Sequence, residues 1–570
     1  MLDELRGSEG PREAACVSGT DALPAAMEAM AAEPGGAPHL RELVLQFAVR
    51  GRLVPQRAGD EPAEALLARV EGHRTRLCAE RVYRRQRPLP PPPGHGGGPH
   101  PIPASWAWSR VGALGAVGPV NEVPDDREAS FVPMPAVPTD SRSPIRAERR
   151  PWGEIRRGYT HLAEGDVAVA RITPCFQNRR SCVMRGLAGG IGAGTTELHV
   201  LRPVPGGVLP EYLLLFFKSP DFIAGGVAAF TGTAGQQRVP REYFAHRPVP
   251  IPPRPEQRRI VARVDELMAL LDRLEAAETA REATRARCRD AALAALRDAG
   301  DRRRREAAWS RVADRAHVLL TDPADVPPLR ETILELAMQG RLVAPEPGDT
   351  PASEWLGDRA LAADTADLPP GWAWSDLGHL GEVIGGGTPS KSNSNYWSGA
   401  IPWVTPKDVK RDRIDSSRDQ ITPEGVAGSS ARRIPAGALL MVVRGMILAH
   451  SFPTAILARE GTVNQDLKAL VPFDPDLSPY LLLLSKGIKR RVLALVSRST
   501  HGTCKLPTRE LLSLPLPIPP PEEQARIVSR VGELLALADR LEETLVQARR
   551  THAALCEAAV SSLSDPRGPG

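Results

Sequence analysis

The sequence predicts an α+β protein: two mixed α/β domains, each followed by a long coiled-coil helix, related by an internal repeat. Three observations predict this. Leu40–Pro55 returns as Leu329–Ala344 with nine of sixteen positions identical, and Val249–Leu274 returns as Leu516–Leu541 with eighteen of twenty-six identical. Ser105–Gly115 (SWAWSRVGALG) likewise returns as Gly371–Gly381 (GWAWSDLGHLG), and the matches keep their order, so one long unit has been duplicated. Between the second and third matches the copies diverge at nearly constant length, 144 residues from Trp106 to Pro250 and 145 from Trp372 to Pro517. A repeated frame around two different inserts implies one scaffold carrying two readers of different specificity.

The elements follow in chain order. Residues 1–36 are small, polar and broken by Pro and Gly, the composition of a disordered start. Residues 37–87 form the N-terminal helical segment. Leu40, Leu43, Val44, Phe47 and Ala48 recur at helical spacing, predicting a helix over His39–Arg50 stopped by Gly51. A second helix is expected over Pro62–Arg85 on Leu66, Leu67, Val70 and Leu77. Residues 88–103 (PLPPPPGHGGGPHPIP) read as a Pro/Gly linker whose counterpart before Trp372 is shorter by 23 residues.

The first insert spans 104–252, with strands expected at Gly165–Ile172 and Glu197–Val204 and a helix at Glu211–Lys218. A long spacer helix over 253–300, a linker over 301–326 and the repeated helical segment with its linker over 327–368 come next. The second insert, 369–519, repeats the texture at Gly437–Arg444, Leu467–Val471 and Pro479–Lys486. The second spacer helix is expected over 520–564, with a tail at 565–570. In it Ile527, Val531, Leu534, Ala538, Leu541, Leu545, Ala548, His552, Leu555 and Ala559 alternate four and three apart. That is about four and a half heptads of coiled-coil seam. Ile260, Val264, Leu267, Leu271 and Leu274 obey the same rule until Glu278, Arg281 and Arg285 break it, before Leu293 and Leu296 resume. Pro255 and Pro521 sit where a helix starts without losing a hydrogen bond. At roughly 1.5 Å per residue each helix is a rod of about 60 Å.

Composition narrows the class. Net charge is +5, a mild bias toward polyanions, and only eight basic residues are Lys. The Arg excess suits phosphate and guanine edges, and a proteome-wide bias gives the same excess. Seven scattered cysteines without a CxxC fit neither a disulfide framework nor a zinc site and point to a reducing cytoplasm. The charged N-terminus is no signal peptide, and no run of eighteen apolar residues predicts a membrane span.

Catalytic motifs are sparse. Neither an NPPY- nor a DPPY-like tetrapeptide is present, and Gly189–Thr195 (GGIGAGT) lacks the spacing of a dinucleotide loop and the Lys of a phosphate loop. No HExxH occurs; Asp408-Val409-Lys410 and Asp466-Leu467-Lys468 are half-motifs of a metal nuclease without a Pro-Asp upstream. His161, His199, His246, His450 and His501 share no context that suggests catalysis. The residues therefore favour binding over catalysis, with a stand-alone nuclease or methyltransferase of unrecognised motifs as the alternative and a duplicated coiled-coil scaffold as a third reading.

The frame resembles the specificity subunit of type I restriction-modification systems. In that family an LR..IL.LAV.G.LVP helix precedes a GW.W..LG stretch, a target-recognition domain, and a P.PLPP..EQ..IV run into a helix. Those motifs stand here at Leu40–Pro55, Trp106–Gly115 and Pro248–Val261, and again at Leu329–Val343, Trp372–Gly381 and Pro515–Val528. Within the inserts, Phe131–Val137, Gly165–Asn178, Gly192–Pro203 and Thr231–Pro240 are similar to one type of target-recognition domain. Gly385–Val409 is similar to another. Thr500–Pro507 is a looser version of the first domain's GQQRVP, which weakens the case for Cys504 and Lys505 as contacts.

The resemblance implies a non-catalytic DNA-binding chain with two target-recognition domains and two long helices paired antiparallel, each domain reading half of a split, asymmetric target. It implies double-stranded DNA, two methylation subunits and a restriction/translocase subunit as partners. S-adenosylmethionine, ATP and Mg belong to those partners and not to this chain. Side-chain chemistry nominates the contacts. Arg171, Arg179, Arg180, Arg238, Lys391 and Lys505 suit phosphates or guanine; Gln177, Asn178, Gln236, Gln237, Asn393 and Asn395 suit adenine. Thr195, Thr196, Thr388, Ser390, Ser392 and Thr503 suit phosphates. Tyr396 and Trp397 suit stacking on an exposed base, against a folded aromatic corner on Pro402 and Trp403. Arg258, Arg259, Arg263, Asp265, Glu266, Arg526, Arg530 and Glu533 flank the helices as candidate partner surface.

Overall fold

The computed structural model describes residues 36–84, 87–233, 235–364, 368–498 and 503–564. The stretch expected to be disordered, apart from Gly36, and the 565–570 tail lie outside the described residues, as does His501. The chain falls into two compact units, residues 1–281 with 550–570 and residues 282–549. Among the described residues no helix is long and apolar enough to cross a membrane.

In the first unit the helix Gly36–Arg50 buries Leu40, Leu43, Val44, Phe47 and Ala48, and Gly51 ends it at φ 71°. Only glycine takes that left-handed conformation cheaply, and a Cβ there meets the Pro103 ring at 2.4 Å. The next helix, Ala63–Ala79, is shorter than its expected span. It buries Ala63, Leu66 and Val70, and the charged residues that follow give no apolar face to continue it.

The recurring GW.W and PIP segments turn out to be one device. Ala107–Arg110 pairs antiparallel with Pro248–Ile251, placing Trp108 opposite Pro250, and Ala373–Ser375 pairs with Leu516–Ile518, placing Trp374 opposite Pro517. Each two-stranded clasp closes the two ends of an insert. Prolines fit because a two-stranded ribbon leaves one edge of the strand unpaired. The preceding tryptophans are buried, and each donates its indole N–H to a glutamate at the start of a long helix: Trp106 to Glu256 at 3.1 Å, Trp372 to Glu523 at 3.0 Å. Tyr212 and Tyr480 donate to the carbonyls of Pro250 and Pro517 at 2.7 and 3.0 Å.

Inside the first clasp two four-stranded sheets form. One orders Gly115–Val117, Leu198–Pro203, Val167–Ala170 and Ser181–Val183; the other orders Glu148–Pro151, Glu128–Val132, Ile191–Gly194 and Thr160–Ala163. The helix Pro210–Lys218 buries Tyr212 through Lys218 beside the first sheet. Inside the second clasp a five-stranded sheet orders Gly381–Gly385, Leu467–Pro472, Leu439–Val442, Thr454–Leu457 and Arg413–Ile414. A three-stranded sheet holds Asp419–Ile421, Trp397–Val404 and Thr462–Val463, and Ser478–Gly487 is the matching helix. Both inserts are mixed α/β, and the chain is α+β as the sequence predicts.

Each insert leads into a long helix, Arg254–Asp298 and Pro521–Ser564. By the division above each helix begins in one unit and ends in the other. The N-terminal helix of each copy grips its own long helix through one arginine. Arg41 pairs with Asp272 and Glu275 at 2.7 and 2.6 Å, and Arg330 pairs with Asp539 and Glu542 at 2.5 and 2.6 Å. Arg259 with Asp60 and Arg526 with Asp349 add a second matched pair at 2.6 Å. The seam of the second helix is buried at Ile527, Val531, Leu534 and Ala538, half-buried at Leu541 and Leu545, and 63% exposed at Leu555. Where the first helix loses its apolar seam, Arg285 and Arg289 both reach the buried Asp325. The break in the heptads is therefore filled by an ion cluster.

Two stretches depart from their expected linker character. Residues 301–326 contain the helix Arg302–Asp314, capped by the Asp301 side chain on the Arg304 N–H at 2.8 Å. Its Arg, Glu and Ala residues are strong helix formers, and Ala308 packs on Leu296 and Leu336. Residues 88–103 are held against the first insert rather than loose. Arg110 donates to the Pro91 carbonyl at 2.8 Å, and Gly98 lies so close to Trp108 that a Cβ would overlap the indole. Extended proline segments make no internal hydrogen bonds, so their carbonyls are free to accept from such an arginine.

Candidate nucleic-acid interface

In the first insert the candidate surface is built where the strand Val167–Ala170 ends and its antiparallel neighbour Leu198–Pro203 begins. The Arg171 N–H donates to the Glu197 carbonyl at 2.9 Å, and the Val239 N–H donates to the Arg171 carbonyl at 2.8 Å. The Thr173 N–H donates to the Gln237 carbonyl at 2.9 Å, closing a cradle of three loops: 171–178, 195–197 and 235–239. His199 supports it from below. Buried and stacked on Phe244, it donates Nε2–H to the Val239 carbonyl at 2.8 Å, and burial pushes its pKa down to about 4. His161 is likewise structural, bonded to the Asn121 N–H and the Arg156 carbonyl.

The second insert builds the same cradle with other side chains. Val443 N–H donates to the Asp466 carbonyl at 2.8 Å, Leu506 N–H to the Val443 carbonyl at 2.9 Å, and Gly445 N–H to the Cys504 carbonyl at 3.0 Å. The isolated bridges Ile172 with Arg238 and Arg444 with Lys505 match as well. Arg171, Glu197, Gln237 and Arg238 therefore occupy the backbone places of Val443, Asp466, Cys504 and Lys505.

The candidates of the first insert divide into two groups. Arg171 and Arg238 share the Glu197 carboxylate, Arg238 at 2.8 Å and Arg171 at 3.3 Å. The Arg238 hydrogen bonds, with help from Arg171, hold the Glu197 pKa below its usual value. Gln177 and Asn178 are exposed, and the Thr173 hydroxyl donates to Gln177. Thr195 accepts from the Glu197 N–H at 3.3 Å, and Thr196, Gln236 and the half-buried Gln237 lie alongside. Arg179 and Arg180 point elsewhere. Arg179 pairs with Glu42 of the N-terminal helix, and Arg180 donates to the Val137 carbonyl at 2.6 Å.

In the second insert the loop from Thr388 to Tyr396 borders the cradle through Gln465, which accepts from the Thr388 hydroxyl. Ser390 and Ser392 hydroxyls meet at 2.8 Å, and Lys391 is exposed. Asn393 caps a short turn by accepting the Asn395 N–H at 3.2 Å, while the Asn395 side chain is exposed. Tyr396 is half-buried against Gly425 and Gly428, whose lack of Cβ leaves room for it. Trp397 stands edge-on to Trp403 with centroids 5.1 Å apart and donates to the Ser390 carbonyl at 3.0 Å, a folded corner. Thr503 and Lys505 are exposed on the cradle rim, and Cys504 between them is fully buried, which excludes it as a contact.

The sequence reading did not single out Glu197, Arg444, Met446, Ile447 or Gln465. Glu197 organises two arginines; Arg444 is exposed on the rim; Met446 is 63% exposed beside it. Counting from the matching glycines Gly165 and Gly437 puts Glu197 opposite Ala469, so the sequence carried no direct signal; strand register, Ala170 with Leu198 and Val442 with Leu467, is what sets Glu197 against Asp466. Among the described residues no group of three or more His, Cys, Asp or Glu side chains is arranged to hold a metal.

These features have relatives. A family model described as the type I restriction modification DNA specificity domain matches residues 369–548. The type I restriction enzyme EcoAI specificity subunit of Escherichia coli is 32% identical, over 92% of this chain and 93% of its own. The EcoEI specificity subunit of the same organism is 31% identical over the same shares. A crystal structure of the HsdS subunit from Thermoanaerobacter tengcongensis aligns over 82% of this chain and 98% of its own, with 21% identity and a TM-score of 0.43. With relatives 31 and 32% identical over 92% of its length, this chain belongs to the family of type I restriction-modification DNA specificity subunits.

Proposed function

We propose that this chain is the DNA-recognition subunit of a type I restriction-modification complex. It reads a bipartite, asymmetric sequence with a fixed gap and performs no chemistry of its own. The observation that carries the reading is the pair of matched cradles with unmatched side chains. One backbone presents Arg171, Glu197 and Arg238; its duplicate presents Val443, Asp466 and Lys505. Two identical frames with different donors and acceptors suit two different half-sites, because base edges are told apart by donor and acceptor pattern. The site residues act in two ways. Arg171, Arg238, Gln177, Asn178, Gln236 and Gln237 face the first half-site, and Lys391, Asn393, Asn395, Arg444 and Lys505 face the second. Thr195, Thr196, Thr388, Ser390, Ser392 and Thr503 donate to phosphates, which fixes register without reading sequence.

The two long helices pair antiparallel in this reading and set the unread gap. Half-sites about one DNA turn apart, roughly 34 Å, then lie on one face of the duplex. Two methylation subunits, one per copy, bind the helical frame, and a restriction/translocase subunit joins them. S-adenosylmethionine, ATP and Mg are carried by those partners. The test exchanges residues 104–252 for the corresponding insert of another specificity subunit and maps methylated bases in cells holding the partner genes. One half of the motif changes and the other stays. A change in both halves, or a motif without a gap, contradicts the reading.

A further inference from the structure

The first copy carries a basic groove, one wall of which comes from chain that the second copy lacks. It has a volume of about 830 Å³ and runs between residues 81–84 and 87–89, the 116–123 segment and the helix Arg241–His246. Five described arginines line it, against two carboxylates, Glu122 and Glu242. Two are fixed in place. Arg202 is held by Asp166 at 2.8 Å and by Asn121 at 2.8 Å, and Arg241 donates to the Val117 carbonyl at 2.6 Å. The other three, Arg81, Arg84 and Arg87, are exposed and form no ion pair among the described residues. Three unpaired guanidiniums along one wall are an anion surface, since an arginine with a structural job normally finds a carboxylate or a carbonyl.

Position says which anion. Arg241 follows Val239 by two residues, and the Val239 N–H is bonded to the Arg171 carbonyl, so the groove begins where the first cradle ends. The wall bearing Arg81, Arg84 and Arg87 belongs to the extra chain of the first copy. Ala63 and Ala352 are matched by their N–H bonds to Ser105 and Gly371, yet Trp106 lies 43 residues beyond Ala63 and Trp372 only 20 beyond Ala352. We propose that this groove seats the DNA backbone just outside the first half-site, with Arg81, Arg84 and Arg87 neutralising its phosphates and Arg241 linking them to the reading cradle. The inference rests on the DNA-reading role proposed above. It adds a sequence-independent hold at one end of the target only.

The test uses the full chain assembled with its partner subunits and fluorescent duplexes carrying the mapped target. The triple change Arg81→Gln, Arg84→Gln, Arg87→Gln lowers affinity for target and non-target duplexes by the same factor. It reduces the slope of log K against log salt by about 2 to 3, near 0.9 per phosphate released. The methylated motif is unchanged. Shortening the duplex flank outside the first half-site weakens the unaltered complex and leaves the variant unaffected, while shortening the opposite flank affects both alike. The triple Lys variant restores the salt slope, which separates lost charge from lost folding. Unchanged affinity and slope in the Gln variant, or a loss confined to the cognate sequence, overturns the groove. A complex that prefers no duplex sequence at all overturns the DNA-reading role instead.

Discussion

Arg238 lies along the edge of the Glu197 carboxylate, with Nη2 2.8 Å from Oε1 and Nε 3.0 Å from Oε2. Arg171 donates its Nε–H to Oε2 of the same carboxylate at 3.3 Å. The carboxylate thus fixes the directions of two guanidiniums while cancelling only one of their charges. Glu197→Gln removes that fixing and leaves the cradle backbone intact. Discrimination at the first half-site falls about tenfold, within the roughly 1–3 kcal/mol that one well-placed bidentate contact supplies. The second half-site is read as before, and the melting temperature moves little because part-exposed pairs contribute about 0–1 kcal/mol. Competition binding against single-base variants of the target checks this; equal relaxation at both half-sites would sink it.

The clasp glutamates make stability depend on pH. Glu256 and Glu523 are buried, each accepts one indole N–H, and each keeps a second oxygen without a partner. Burial, opposed by the indole hydrogen bonds, raises both above the usual carboxylate value of 4.5. A raised folded pKa means the folded chain holds its proton more tightly than the unfolded chain. The associated stability is present at low pH and is lost as pH climbs through the folded value. Glu256→Gln with Glu523→Gln, which copies the protonated acid, therefore gains stability over the parent at pH 8 and none at pH 4. Thermal melts across that range read the difference; a gain that does not grow with pH refutes it.

Lys218 has the opposite sign. Buried beneath the first insert, its Nζ donates to the carbonyls of Thr139 and Arg179, both at 2.8 Å. Burial pulls its pKa from 10.5 down to about 7. Between those values the unfolded chain binds the proton and the folded chain does not, so this lysine makes stability rise with pH across the window. The difference between parent and Lys218→Met, measured by urea midpoint at pH 7 and pH 9, grows in favour of the parent at the higher pH. A difference independent of pH contradicts the assignment.

The frame was legible in the sequence because its devices are local or repeated. Trp106 and Trp372, the two PIP strands and the heptads of Ile527 to Ala538 announce themselves twice, and both copies fold alike. The fate of individual arginines was not legible. Arg179 and Arg238 look equally suited to phosphate, yet Arg179 is taken by Glu42, 137 positions away, and only the tertiary fold brings that carboxylate near. The helix in 301–326 was hidden because its apolar contribution is two residues, Ala308 and Val312, in a run dominated by charge. The equivalence of Glu197 and Asp466 was hidden by divergence between the inserts and emerges from backbone hydrogen bonds.

Met446 gives the rim of the second cradle a long, exposed apolar side chain where the first has Pro174. It is 63% exposed next to Arg444, and Leu448, buried two residues later, anchors the turn that presents it. If the rim reads bases as proposed, an exposed apolar tip there fits the 5-methyl group of thymine. Met446→Ser lowers affinity about fourfold, the equivalent of the roughly 0.8 kcal/mol of one buried methylene. Replacing one particular thymine of the second half-site with uracil costs the parent the same factor and costs the variant nothing further. If every such thymine tolerates uracil, Met446 reads no methyl group.

The gap-setting role proposed for the two long helices fixes what lengthening them does. A heptad inserted into each long helix preserves the four-and-three spacing of the apolar seam and lengthens each rod by about 10.5 Å. At roughly 3.4 Å per base pair that is about three base pairs of DNA. Both half-sites keep their sequence, because the inserts and their clasps are untouched, while the unread gap grows by about three. Affinity for the new target is weaker than for the original, since three base pairs also rotate the second half-site around the duplex. Inserting the heptad into one helix alone mismatches the seams and abolishes assembly with the methylation subunits. Mapping methylated bases in cells carrying each variant reads all of these outcomes, and a gap that stays constant after the double insertion shows that the helices do not measure it.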